Sequence, residues 1–217
     1  LGYRDSFLFH NSLYQNSLPK QVGSRLSENR LATSGRRLSV GVYNKTKGQY
    51  EVISGAHDML DPICASASVP LIFPPVKMNG DIYVDGGIGH ILPVPQIIDW
   101  CNTHSGNIDI MCCYPFQSFQ EFVKTEIHNS QYSLVNMGQD MLIDMYWNNY
   151  QRDLNDLAAY FKITNIREHP VNKWVIDGRT VRLFSPSQGI YSDFTKCHNV
   201  TLQLMFEHGK QLVQEYI

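Results

Sequence analysis

The sequence predicts an α/β fold from three observations: alternating apolar residues between Arg37 and Ile53, a strand–helix–strand order from Ile82 to Cys113, and helical spacing of apolar residues from Leu134 to Phe161. Leu38, Val40 and Val42 fall on one side of the first stretch, with Ser39, Gly41 and Tyr43 on the other, which is the period of a strand. A turn at Asn44-Lys45-Thr46-Lys47-Gly48 then leads into a returning strand over Gln49 to Ile53, so a hairpin is expected.

Asp61-Pro62 reads as an N-cap followed by proline at the first helical position, opening a short helix over Ile63 to Ala67 that Pro70 ends. Val69 to Val76 holds three prolines and is expected to be extended. Asn79-Gly80 is a tight turn into a short strand, Ile82-Tyr83-Val84, with Asp85 at its carboxyl end. Pro95 to Thr103 follows as a helix and Ile108 to Cys113 as a buried strand.

Ser118-Phe119-Gln120-Glu121 has the form of a capping box at a helix start. Leu134, Met141, Leu142, Met145, Leu154, Leu157 and Phe161 then recur at helical spacing, and Met137 and Met141 are read as core filling. Asp177-Gly178, between Lys173–Ile176 and Val181–Phe184, predicts a second hairpin against which Trp174 packs. Residues from Thr195 to Tyr216 have the pattern of a terminal amphipathic helix.

At 217 residues, 43% of them hydrophobic and 12% aromatic, the chain is long enough for one substantial core, and a single domain over 1–217 is expected. Its 18 basic and 20 acidic residues give a formal charge of -2, which supplies no field for holding nucleic acid. The five cysteines, Cys64, Cys101, Cys112, Cys113 and Cys197, have neither disulfide-scaffold density nor zinc-ligand spacing. They suit reduced thiols and a cytoplasmic location, with no metal. No apolar run reaches the roughly 18 residues of a spanning helix, and no leader pattern opens the chain.

The most informative stretch runs from Cys64-Ala65-Ser66-Ala67-Ser68-Val69-Pro70 through Phe73-Pro74-Pro75-Val76 to Tyr83-Val84-Asp85-Gly86-Gly87. It resembles the patatin-like phospholipase family, whose motif is an Ala-Ser-small-small-Ile/Val-Pro segment, a Phe-Pro-Pro-Val run and a Tyr-Val-Asp-Gly-Gly block. The resemblance implies a three-layer α/β/α fold with a mostly parallel central sheet. It also implies a serine–aspartate dyad, in which Asp85 takes the proton of an attacking serine while Gly86 and Gly87 let the backbone pass close by. No histidine, metal or other cofactor is implied. An ordinary Asp-Gly turn, such as Asp177-Gly178, is the competing reading, and the matching residues before Asp85 decide against it.

Two departures accompany the resemblance. The asparagine that family members commonly place six residues after the aspartate is Ile91 here, followed by Leu92-Pro93, so this loop is expected to be held differently. No serine stands in Gly-x-Ser-x-Gly, and the glycine-rich oxyanion turn is missing as well. Ser39 comes nearest but sits in the alternating strand; Ser66 and Ser68 read as packing residues at a helix end. The chain is therefore expected to begin after the first strand and nucleophile elbow, at Leu1, as the later part of such a domain.

The eight histidines form no metal motif, and His90, the one nearest the aspartate, is a candidate for substrate contact. The leading expectation is a lipid acyl hydrolase of phospholipase A type with transient membrane contact; Leu71-Ile72-Phe73-Pro74-Pro75 is one candidate surface for it, although core packing is the favoured reading of that run. The alternatives are a catalytically silent module that binds lipid or protein, and one half of a split enzyme whose second chain supplies the serine.

Overall fold

The computed structural model describes residues 28–55, 57–112, 134–164, 166 and 171–184, with isolated positions at 20, 23, 203, 206, 207, 209–211 and 214. The chain divides into two units, Leu1–Ile97 with Ser133–Asp153, and Ile98–Tyr132 with Leu154–Ile217.

The first unit carries a four-stranded sheet that follows a short helix, α1 (Glu28–Thr33). Strands β1 (Leu38–Asn44) and β2 (Gln49–Gly55) form the expected hairpin, in antiparallel register from Leu38 opposite Gly55 to Asn44 opposite Gln49. Gly48 closes its turn at φ +70°, in the left-handed region that glycine enters without steric cost. Val40 and Val42 are buried as the alternation requires, and Met59, Ala65 and Tyr83 complete that core.

Helix α2 spans Leu60–Ser66, starting two residues earlier than the Asp61-Pro62 reading placed it. Met59 is the N-cap residue and makes no side-chain cap, while Asp61 lies in the first turn. The shift is physically cheap. Pro62 still falls among the first residues, whose N–H groups have no intrahelical acceptor, and an acidic side chain there suits the helix dipole.

Within Val69 to Val76, the part from Val69 to Phe73 is a turn and not extended. The Phe73 N–H donates to Val69 C=O at 2.8 Å, closing a turn in which Leu71 takes φ +67°. Strand β3 (Val76–Met78) then pairs with β4 (Asp81–Asp85) across Asn79-Gly80, both at positive φ as a tight hairpin turn demands. The sheet order is β2-β1-β4-β3, antiparallel throughout.

In the second unit β5 (Ile108–Met111), β6 (Val171–Ile176) and β7 (Arg179–Phe184) form a sheet in the order β5-β7-β6. Strand β5 runs parallel to β7, and β6–β7 is the expected hairpin, turned by Asp177 at φ +50° and Gly178 at φ +78°. Val181, Leu183 and Phe184 are buried, as are Leu154, Leu157 and Phe161.

The molecule is thus mixed α/β, as expected, but a mostly parallel central sheet is not what the described strands form. The strand–helix–strand order read from Ile82 to Cys113 is present as β4, α3 (Val94–Thr103) and β5, but it does not make β4 and β5 neighbours in one sheet. Both edges of β4 are instead taken by antiparallel neighbours, β1 and β3.

The long helical pattern is one helix, α4 (Leu134–Phe161). Met137 and Met141 lie on its exposed side, at 49% and 71% exposure, and do not fill a core. The Ser118 capping box, Cys113, Cys197 and most of the terminal helical pattern lie outside the described residues. Among the described residues no helix is long and apolar enough to cross a membrane.

Candidate active site

Asp85 is placed by three local constraints. It ends β4 opposite Val42 of β1, and its N–H donates to Ser68 C=O at 3.0 Å, just past the end of α2. Ser68 is fully buried and its hydroxyl donates to Cys64 C=O at 2.8 Å, so it is a packing serine as read from sequence. The third constraint is the turn that follows. Gly86–Ile88 forms one turn of 3-10 helix, and the Gly87 N–H donates to Asp85 Oδ1 at 2.6 Å.

Both glycines of Asp85-Gly86-Gly87 are required by close approach. A Cβ on Gly86 would drive into the carbonyl of Gly41 on β1 and stand 3.1 Å from the Val42 nitrogen. A Cβ on Gly87 would stand 2.9 Å from Asp85 Oδ1 and 3.0 Å from the Ile91 side chain. Real side chains essentially never come so near backbone, which makes this more than an ordinary Asp-Gly turn.

Burial pushes the Asp85 carboxyl up to about 6, against the opposing effect of the Gly87 hydrogen bond. Among the described residues no charged group contributes to that shift. A carboxylate so poised is a stronger base than an exposed aspartate, yet it is still largely ionised at neutral pH.

The loop after the turn is held from α4, and sequence reasoning missed the residues that hold it. Asn149 Nδ2 donates to the carbonyls of Gly87 and Ile88, at 2.9 and 2.7 Å. Arg152 donates to Gly89 C=O. Asp153, fully buried, accepts the N–H groups of Ile91 and Leu92 on Oδ2, at 2.7 and 3.0 Å. Its Oδ1 meets His90 Nδ1 at 2.8 Å. Since a carboxylate only accepts, that imidazole nitrogen carries the proton. Buried Tyr146, one turn before Asn149, packs beside Gly87.

The loop around Ile91 is anchored from 62 residues further along the chain. Its signal lies in the burial and not in the sequence pattern. Asn149 and Asp153 fall at i and i+4 in a buried stripe with Tyr146, Tyr150, Leu154 and Leu157, where polar residues need a reason to be.

Tyr50 completes the surroundings. Its ring stands edge-on to His90 with centroids 4.8 Å apart, and a Cβ on Gly89 would meet it at 2.8 Å. Its hydroxyl accepts from Gln96 Nε2 at 2.8 Å, and burial raises its pKa. His90 is half-buried between Tyr50 and Asp153. Ser39 pairs with Ser54 at 2.8 Å on the exposed face of the hairpin, away from any catalytic arrangement. In the Leu71–Pro75 run Leu71 is exposed, Ile72 is buried and the rest are half-buried. Among the described residues no group of three His, Cys, Asp or Glu side chains is arranged to hold a metal ion.

Residues 7–98 match the family described as patatin-like phospholipase, a span that includes Asp85-Gly86-Gly87. A protein of Invertebrate iridescent virus 6 described as "Probable lipid hydrolase 463L" is 30% identical over 73 residues, which cover 32% of this chain and 25% of the viral protein. The match thus spans about a quarter of that relative's length.

Proposed function

We propose, from the patatin-like phospholipase character of residues 7–98, that this chain carries the general base of a lipid acyl hydrolase and that the base is Asp85. The observation that supports this most is the state of Asp85: a mostly buried carboxyl raised to about 6, with one oxygen fixed by the turn its own motif makes.

In this reading a serine hydroxyl attacks the ester carbonyl of a lipid, most simply a phospholipid, and Asp85 takes the hydroxyl proton. The proton passes to the departing lysolipid oxygen as the tetrahedral intermediate collapses to an acyl-serine. Asp85 then deprotonates a water, whose attack releases the fatty acid and restores the serine. No metal or organic cofactor enters these steps.

None of the 217 residues forms Gly-x-Ser-x-Gly, so the chemistry requires a serine supplied by sequence or a chain beyond them. The second reading is a catalytically silent patatin-like module that binds lipid or protein. Cytoplasmic placement with transient contact at membranes is proposed alongside the enzyme reading, since a phospholipid substrate resides in a bilayer.

The deciding experiment is labelling of the natural polypeptide that carries these residues with a serine-directed fluorophosphonate, the labelled peptide being read by mass spectrometry. Label on a Gly-x-Ser-x-Gly peptide that disappears in folded Asp85→Asn protein is the expected result. A protein that neither takes the label nor releases fatty acid from phosphatidylcholine vesicles is a silent module.

A further inference from the structure

We propose that Asp153 is a positioning residue for Asp85, acting from α4 as a clamp on the turn that holds the carboxylate, with Asn149 as its second jaw. The role given to Asp85 rests on the reading above; the clamp rests on geometry alone.

Asp153 is fully buried, and burying a carboxylate is unfavourable unless its acceptor sites are filled. Here they are filled almost entirely by one loop. His90, Ile91 and Leu92 supply three of the four donors, and the fourth is Arg152 Nη2 at 3.3 Å, from the neighbouring residue of the same helix. The loop is tied in turn to the glycine turn, because the N–H groups of Gly89 and His90 both donate to Gly86 C=O, at 2.8 and 2.9 Å. Asn149 fixes the other side of that turn through Gly87 C=O.

Gly87 is therefore gripped at its carbonyl while its N–H holds Asp85 Oδ1. Asp153 is linked to Asp85 by three hydrogen bonds joined through the covalent frame of His90 and the Gly86–Gly87 peptide. Among the described residues the charged or titratable groups near Asp153 are His90 from the loop, Arg152 from α4 and Tyr50 from β2, whose pKa the Asp153 charge helps to raise. A residue that merely filled the core would be replaceable by an apolar side chain of similar size, with no consequence for Asp85.

Asp153→Asn is the informative variant, because it keeps the volume and one acceptor oxygen but turns an N–H donor toward donors. The readout is the titration of the Asp85 carboxyl carbon by NMR, in the full chain labelled at aspartate Cγ and assigned with Asp85→Asn. Wild-type Asp85 is expected to titrate near about 6. In Asp153→Asn the loosened turn admits water, and the midpoint falls by roughly one unit or more toward the ordinary aspartate value of about 3.9.

An unchanged midpoint in folded Asp153→Asn would overturn the proposal, as would a wild-type midpoint already at the ordinary value. Failure of this isosteric variant to fold would overturn it too, by making Asp153 a determinant of the whole fold rather than of one turn. A midpoint that responds while the natural polypeptide takes no fluorophosphonate label leaves the clamp standing and removes the enzyme reading.

Discussion

Asp85 accepts the Gly87 N–H at 2.6 Å, so the carboxyl that ends β4 is capped by backbone two residues further on. That bond alone would lower the pKa of the group, and burial outweighs it, leaving the carboxyl near about 6. The rate of fluorophosphonate labelling of the natural protein should therefore rise with pH through a midpoint near about 6 and level off above it. Replacing Asp85 by Asn should slow labelling by about 10²- to 10⁴-fold, the usual contribution of a general base. A profile flat from pH 4.5 to 8 would exclude Asp85 as the base.

The two glycines after Asp85 should fail in different ways. A methyl group at Gly86 meets the Gly41 backbone, which β1 cannot move without losing its pairing with β4, so Gly86→Ala should cost more than about 2 kcal/mol in urea unfolding. At Gly87 the nearest atom is Asp85 Oδ1, the end of a side chain that can turn aside. Gly87→Ala should leave a more stable fold than Gly86→Ala while displacing the carboxylate and lowering labelling. Equal losses of stability in the two variants would contradict this division.

Asp85-Gly86-Gly87 was legible in the sequence through the matching residues that precede it from Ala65 to Val84, and not through its own turn chemistry, which Asp177-Gly178 shares. The clamp was not, because Asn149 and Asp153 act over 60 residues of separation and look like ordinary polar positions of a helix. Counting apolar residues at helical spacing picked out Leu154, Leu157 and Phe161 correctly but also Met141, which is exposed. Over Tyr146 to Asp153 the buried face is partly polar, so the period of burial is not the period of hydrophobicity. The sheet was misjudged for a related reason. A strand–helix–strand order shows that a crossover is available, not that the two strands share a sheet, and the local hairpin β3–β4 together with β1 had already filled both edges of β4.

Fully buried Asn44 anchors the other end of β1. Its amide donates to Glu51 Oε1 at 3.1 Å and to Asp81 Oδ2 at 2.9 Å, and its oxygen accepts the Lys47 N–H at 3.0 Å. The Asp81 carboxyl is held below its ordinary range first by that amide and then by Lys47. Asn44→Ala should destabilise the protein by about 2–3 kcal/mol, because the partners lose their bonds while staying partly buried. It should also raise the Asp81 pKa, read by the same aspartate carbon NMR. A cost below about 0.5 kcal/mol would mean that water replaces the amide without loss.

Stability gives a test of Asp85 that needs no substrate and no serine. Its pKa in the folded protein, about 6, lies above its ordinary value of 3.8, so between those values the folded state binds more protons than the unfolded one. Stability contributed by the protonated group is then fully present below about pH 4 and is lost as pH rises through about 6. A shift of roughly two units corresponds to at most about 3 kcal/mol, and partial solvent access reduces that. Asn keeps the oxygen that accepts the Gly87 N–H but carries no charge to desolvate. Asp85→Asn should accordingly stabilise the protein in urea unfolding at pH 7.5, by about 1–3 kcal/mol, and have little effect at pH 4. This is the sign expected of a group kept for its chemistry at the expense of the fold. A variant that destabilises equally at both pH values would instead make Asp85 a structural residue.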